Sequence, residues 1–241
     1  RGLGDVYKRQ LCILAGPGSG KTRVLTHRIA RRAEDGDLDP RRVLALTFTR
    51  RAAQQLRSRL AAIGIRDVGA VGTFHSVALA QIRQHRIDNG RRPQAVVGQR
   101  RQVLAELLDN RRSVPLGLAA GEIDWAAARA LTPDEYLHGP GRRRVGAAMA
   151  RAISDLHRDY EQHKRRRGVL DFDDLLLECT RLLRTEPSFR DAQRWLFRHV
   201  FVDEFQDLNQ TQFNLLQAWV GDRSDLCLSL IHISEPTRHR R

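Results

Sequence analysis

Along the chain, short apolar runs alternate with longer stretches whose apolar residues recur at helical spacing. "LCILA" leads into "KTRVLTHRIARRA", ending near Ala33. "RVLALTF" leads into "RRAAQQLRSRLAAI", and "VGAVGT" into "FHSVALAQIRQHR". A short continuous apolar run suits a strand buried on both faces, and the periodic stretches suit amphipathic helices. Strand and helix in strict alternation predict a parallel α/β sheet with crossover helices. From about Arg83 to Arg167 the alternation stops, leaving helical patterns only: "QRRQVLAELLDN", "AAGEIDWAAARA", "TPDEYL" and "GAAMARAISDLHRDYEQHKRRR". Within these, Thr132 and Glu135 have the spacing of a capping box. The strand-bearing pattern then returns with "DFDDLLLECTRLL", a helix capped by Asp171, and the apolar run "HVFVD" at His199 to Asp203. The expected organisation is an α/β core over 11–82 and 168–227, with an all-helical insertion over 83–167.

Candidate chemistry begins just after the first apolar run. "AGPGSGKT" (Ala15, Gly16, Pro17, Gly18, Ser19, Gly20, Lys21, Thr22) fits the phosphate-binding loop pattern and stands between a strand-like and a helix-like segment. Small residues let backbone N–H groups turn toward phosphate oxygens, and the helix N-terminus adds partial positive charge. The chain has 39 arginines and only three lysines, Lys8, Lys21 and Lys164. A lysine in this loop is therefore a chosen residue, a compact ammonium for the β- and γ-phosphates of ATP, while the Thr22 hydroxyl suits Mg²⁺. A glycine-rich turn that merely caps a helix is the plainer alternative.

The two ends stand apart. Codons for Arg1–Gln10, read as their reverse complement, encode Leu228–Thr237. Such an inverted repeat is what a transposon-type sequencing adapter leaves at both ends of a DNA fragment. Residues 1–10 and 228–241 are accordingly expected to be foreign, and Leu11–Cys227 to be an internal fragment.

Charge sharpens the picture. The formal net charge is +14, divided as +7 over 11–82, +8 over 83–167 and −5 over 168–227, with the remaining +4 in the two ends. That asymmetry predicts a basic face for a polyanion and an acidic segment near a metal. Cys12, Cys179 and Cys227 have neither disulfide nor metal-ligand spacing, which points to a reducing compartment, the cytoplasm. No apolar run reaches the length of a membrane span.

Asp203 and Glu204 follow the run "HVFV". At a strand end, one carboxylate can hold the Mg²⁺ that bridges two phosphates while its neighbour orients and deprotonates the attacking water. In "AGPGSGKT", "LALTFTRRAAQQLRSRL", "GTFHS", "DFDDLL" and "VDEFQD", in that order, the chain resembles the UvrD/Rep/PcrA-like superfamily 1A DNA helicases. The resemblance covers most of residues 11–227. It implies a first RecA-like domain with a helical insertion, taken from an ATP-dependent 3′-to-5′ DNA translocase. Single-stranded DNA, single/double-strand junctions and a second RecA-like domain of the same polypeptide are the implied partners; no membrane is implied.

Carried over residue by residue, Lys21 would contact the terminal phosphates, Thr22 and Asp203 would hold Mg²⁺, and Glu204 would activate water. Gln206 would couple the γ-phosphate to the DNA site, and Arg23 would touch the nucleotide, although it equally suits a helix surface. Phe48, Thr49, Thr73, Phe74 and His75 would line the DNA track, where an aromatic ring stacks on a base without reading sequence. Phe48 and Phe74 also suit a hydrophobic core, and His75 an ordinary satisfied polar position. Asp171, Asp173 and Asp174 read as helix N-terminal charge. Departures are as specific: the family's upstream adenine-recognition glutamine, its next motif with a γ-phosphate-sensing glutamine, and the arginines of its second domain have no counterpart here. For the fragment alone, a nucleotide-gated DNA-binding module with little turnover is the alternative. The motor of a helicase–nuclease subunit is another, and a small-metabolite P-loop kinase leaves the basic insertion without a role.

Overall fold

A computed structural model describes residues 11–16, 20–108, 114–223 and 225–231. The chain divides into two compact units, one comprising Arg1–Val77, Leu182–Leu208 and Leu216–Arg241, the other Ala78–Arg181 and Asn209–Leu215.

The first unit is built on a sheet of five parallel strands: β1 (Leu11–Ala15), β2 (Val43–Thr47), β3 (Ala70–Thr73), β4 (His199–Val202) and β5 (Leu226–Ile231). Their order is β1-β5-β4-β2-β3. Strand β2 is buried at every position, which is why "VLALT" reads as an unbroken apolar run. Helices α1 (Lys21–Glu34) and α2 (Arg50–Ala62) cover one face. There Leu25, Ile29, Leu56 and Leu60, all fully buried, meet Val43, Ala45, Phe201 and Cys227 from the strands. A clamp secures the opposite end of α1: Arg32 donates two hydrogen bonds to Asp225 at 2.7 and 2.8 Å, and His199 Nδ1 lies 2.6 Å from the same carboxylate. The fold class is α/β, as the alternating pattern predicts.

The segment Leu228–Ile231, set apart in the sequence as foreign, forms the second half of β5, with Leu228 opposite Cys12 and Val202. An alternating apolar run continues a strand whatever its origin.

In the second unit the chain runs through α3 (Phe74–Asp88), α4 (Arg100–Leu108), α5 (Leu116–Ala127), α6 (Pro133–His138), α7 (Pro140–Val145), α8 (Ala147–Arg167) and α9 (Phe172–Thr185). Helix α3 enters from the first unit and α9 returns to it. On α8 the buried positions Ala150, Ile153, Leu156 and Tyr160 repeat at helical spacing and pack with Leu104, Ile123, Tyr136 and Leu137. The Thr132–Glu135 capping box forms, and Asp171 caps α9 through the Asp174 N–H at 2.9 Å. Two further helices among the described residues are α10 (Pro187–Leu196) and α11 (Gln210–Val220). The helical unit is wider than the 83–167 boundaries of the sequence pattern, since the carboxylates at the start of α9 pair with Lys164 of α8, and Thr211 donates to the Ala127 carbonyl at 2.7 Å.

Candidate functional site

A parallel sheet presents all its strand C-termini on one edge, the place where open α/β sheets bind ligands. Here β1 runs into Gly16 and, beyond Pro17, Gly18 and Ser19, which lie outside the described residues, into Gly20. Gly20 has φ 87°, a left-handed conformation that glycine adopts without strain, and starts α1. The first turn of α1 has no side-chain cap and no acidic residue, so its N–H groups keep their positive character for an anion. Lys21 is 5% exposed and its Nζ donates to the Gly16 carbonyl at 3.1 Å.

Strand β4 brings the second element. The Asp203 N–H donates to the Leu46 carbonyl at 2.9 Å, which continues the β2–β4 ladder one residue past the strand and fixes the carboxylate at its end. Thr22 Oγ1, 181 positions away in sequence, donates to Asp203 Oδ2 at 2.8 Å. The other oxygen, Oδ1, accepts from the Ser229 hydroxyl on β5. Asp203 is thus a buried carboxylate met by two neutral hydroxyls.

Glu204 follows in the left-handed region, φ 56° and ψ 45°, a conformation that costs a non-glycine residue on the order of 1 kcal/mol. Its N–H donates to Ser229 Oγ at 3.0 Å, which holds the turn. Gln206 Nε2 donates to Glu204 Oε2 at 2.7 Å and so fixes the carboxylate's direction. Gly20, Lys21, Thr22, Arg23 and Glu204 all line one cleft of about 540 Å³, together with His27, Arg59 and Ile63.

Among the described residues no group of three or more His, Cys, Asp or Glu side chains is arranged to hold a metal ion. One carboxylate and one hydroxyl in contact instead suit Mg²⁺, which is usually held by few protein oxygens and completed by phosphates and water.

The residues expected on a DNA track lie at the ends of β2 and β3, on the same edge of the sheet. Thr49 caps α2, accepting from the Ala52 N–H at 3.0 Å. Thr73 and Ser76 exchange hydrogen bonds at the start of α3. Phe48 is half-buried, its ring 6.2 Å from that of Phe74. Phe74 corrects the expectation of base stacking: it is 1% exposed, wedged between Phe48 and Trp219, and serves the core. His75 is half-buried beside it.

Sequence reasoning passed over Ser229, His27, Arg59 and Ile63. Ser229 fell in the set-apart end, and the alternation of β5 was the signal that could have found it. The other three carry no motif and reach the cleft only through the packing of α1 and α2.

The family model for the UvrD/REP helicase N-terminal domain matches residues 5–229. The chain belongs to the UvrD/REP helicase family. Within that family it is 36% identical over 238 residues to the ATP-dependent DNA helicase UvrD2 of Mycobacterium tuberculosis (strain ATCC 25618 / H37Rv), covering 90% of this chain and 33% of that protein. It is 30% identical over 228 residues to the ATP-dependent DNA helicase PcrA of Bacillus subtilis (strain 168), covering 90% and 30%. The PcrA of Leuconostoc citreum is 33% identical over 217 residues, covering 86% and 28%. The chain therefore spans about a third of the length of these UvrD/REP relatives. Among the described residues no helix is long and apolar enough to cross a membrane.

Proposed function

We propose that this chain is the ATP-binding part of a DNA helicase that couples ATP hydrolysis to 3′-to-5′ movement on single-stranded DNA. The observation that carries the reading is the 2.8 Å contact between Thr22 and Asp203, which joins the phosphate loop to the acidic strand end beside the cleft that Lys21, Thr22 and Glu204 line. In this reading Lys21 and the first turn of α1 bind the triphosphate, and Thr22 and Asp203 hold Mg²⁺. The metal ion, when bound, neutralises charge on the phosphate oxygens. Glu204, aimed by Gln206, accepts a proton from the attacking water. Single-stranded DNA crosses the ends of β2 and β3 near Phe48, Thr49, Thr73 and His75, with single/double-strand junctions as the natural substrate and a repair or recombination role for the whole protein, in the cytoplasm. The basic charge over 83–167 supplies phosphate contacts.

A second reading concerns the isolated chain. The resemblance places charge-neutralising arginines on a second RecA-like domain, and an arginine finger is worth on the order of 10³ to 10⁵ in rate in comparable NTPases. The chain alone would then bind nucleotide and DNA with little turnover. Titration of a fluorescent ATP analogue and steady-state phosphate release, each with and without oligonucleotide, test both. Failure to bind the analogue in the presence of Mg²⁺ would overturn the first reading; brisk DNA-stimulated hydrolysis would overturn the second.

A further inference from the structure

The helical unit holds a basic recess of its own, about 400 Å³ in volume and lined by Leu137, His138, Arg142, Ala147, Ala148 and Arg151. Arg142 comes from α7 and Arg151 from the second turn of α8. Between these helices stands Gly146, with φ 81° and ψ 161°, which turns the chain and brings no capping side chain. Helix α8 therefore begins with no side-chain cap and no acidic residue in its first turn, although it is 21 residues long.

Charge pairing around the recess is uneven. Arg144 is held by Glu122, its Nη2 2.7 Å from Oε1, and Arg158 is held by Asp134 and Asp155 at 2.8 and 2.7 Å. Arg142, Arg143 and Arg151 have no side-chain hydrogen bond or ion pair among the described residues. Three guanidinium groups are thus uncompensated beside a recess that two of them line, and the nearby Asp134 carboxylate is already taken by Arg158. His138 is fixed by its Nδ1, 3.0 Å from the Asp134 carbonyl oxygen.

We infer that this recess binds a backbone phosphate of nucleic acid. Arg142 and Arg151 supply charge-assisted donors, and the N–H groups of Ala147 and Ala148 add donors that the helix itself does not use. His138, Arg142, Ala147, Ala148 and Arg151 are all exposed. An open rim of that kind admits a phosphate that belongs to a long polymer, with chain leaving on both sides. The inference rests on the DNA-binding reading proposed above and assigns it one location.

The test is fluorescence anisotropy of a labelled oligothymidylate with the full chain across a salt series. Two variants matter, Arg142→Gln/Arg151→Gln and Ala148→Glu, with the exposed Arg101→Gln as a control outside the recess. The double variant should bind more weakly, with the slope of log K against log salt shallower by about 0.7, the value of one phosphate contact on a single strand. Ala148→Glu places a carboxylate in the first turn of α8, which favours the helix and repels phosphate. It should weaken DNA binding while the melting temperature stays level or rises, a combination that loss of folding cannot give.

Absence of any DNA binding by the unaltered chain would overturn the DNA reading and this inference together. Normal binding and an unchanged slope in both recess variants would overturn the inference alone. It would also be overturned if those variants bound DNA normally yet lost thermal protection by inorganic phosphate, since the recess would then hold only a small free anion.

Discussion

Lys21 and Lys164 are the two lysines among the described residues of a chain that otherwise uses arginine, and both are buried, at 5% and 4% exposure. Each ammonium donates to oxygen. Lys21 meets the Gly16 carbonyl, while Lys164 lies 2.8 Å from Glu161, 3.0 Å from Asp171 and 2.7 Å from Asp174. A compact point charge on a flexible stem suits both settings better than a wider planar guanidinium. Lys21→Arg should therefore lose Mg²⁺-dependent binding of a fluorescent ATP analogue with the fold intact; unchanged affinity in an equilibrium titration would remove Lys21 from the phosphate site. Glu204 allows a complementary test. Glu204→Gly relieves the left-handed backbone and should leave the chain at least as resistant to urea, while DNA-stimulated phosphate release by a two-domain form disappears. Lys21 was legible because the phosphate-loop pattern is specific. Lys164 was not: in "HKRRR" it reads as one more solvated charge, and only the carboxylates of α9 reveal its burial.

At the scale of elements, local hydrogen bonding was the readable part. The capping box of α6 and the Asp171 cap of α9 follow from short spacings, and both form. The partners of those capping groups were not readable. Asp171 also accepts from Tyr160 at 2.9 Å, Lys164 at 3.0 Å and Arg100 at 2.8 Å, which ties α4, α8 and α9 together through one carboxylate. Those cations hold the Asp171 carboxyl below the ordinary range despite its burial. Removal of Lys164 leaves Asp171 and Asp174 undercompensated, so Lys164→Met should cost about 3–5 kcal/mol in denaturant unfolding, the range for one partner lost from a buried pair. His157 lies in the same region. Burial pushes its pKa down from 6.5 to about 4, against a raising influence of Glu161 and Asp171, while Lys164 and Arg100 lower it further. Its folded form resists protonation more than its unfolded form does. The contribution is thus present in full above pH 6.5 and fades as the pH falls toward 4, by on the order of 3 kcal/mol. Urea unfolding across that interval should show the loss, and His157→Gln should flatten it; an equal slope in the variant would assign the loss to the carboxylates instead.

For the whole molecule, the alternation of apolar runs and periodic stretches was enough to foretell a parallel α/β core interrupted by helices. Strand order was not, because nothing in "HVFV" or "LCLSLI" says that these late strands sit between early ones. Phe74 was legible only as a choice between core and DNA track, and burial beside Trp219 decided it. If the proposed second RecA-like domain supplies the charge-neutralising arginines, the chain on its own should bind oligonucleotide in a salt-dependent way and release phosphate slowly; rapid DNA-stimulated release would mean that the groups on this chain suffice. The order β1-β5-β4-β2-β3 also bears on how the molecule comes into being. Leu11 is aligned with Cys227 in the sheet, so β1 has no neighbour in it until β5, some 216 residues further along, has been synthesised. At ordinary rates of synthesis that interval is roughly 10–40 s, far longer than helix formation or collapse of the segments in between. Throughout it β1 lies unpaired, as does the β4-facing edge of β2 until β4 follows, and the nascent protein depends on whatever shields them more than the folded one ever does.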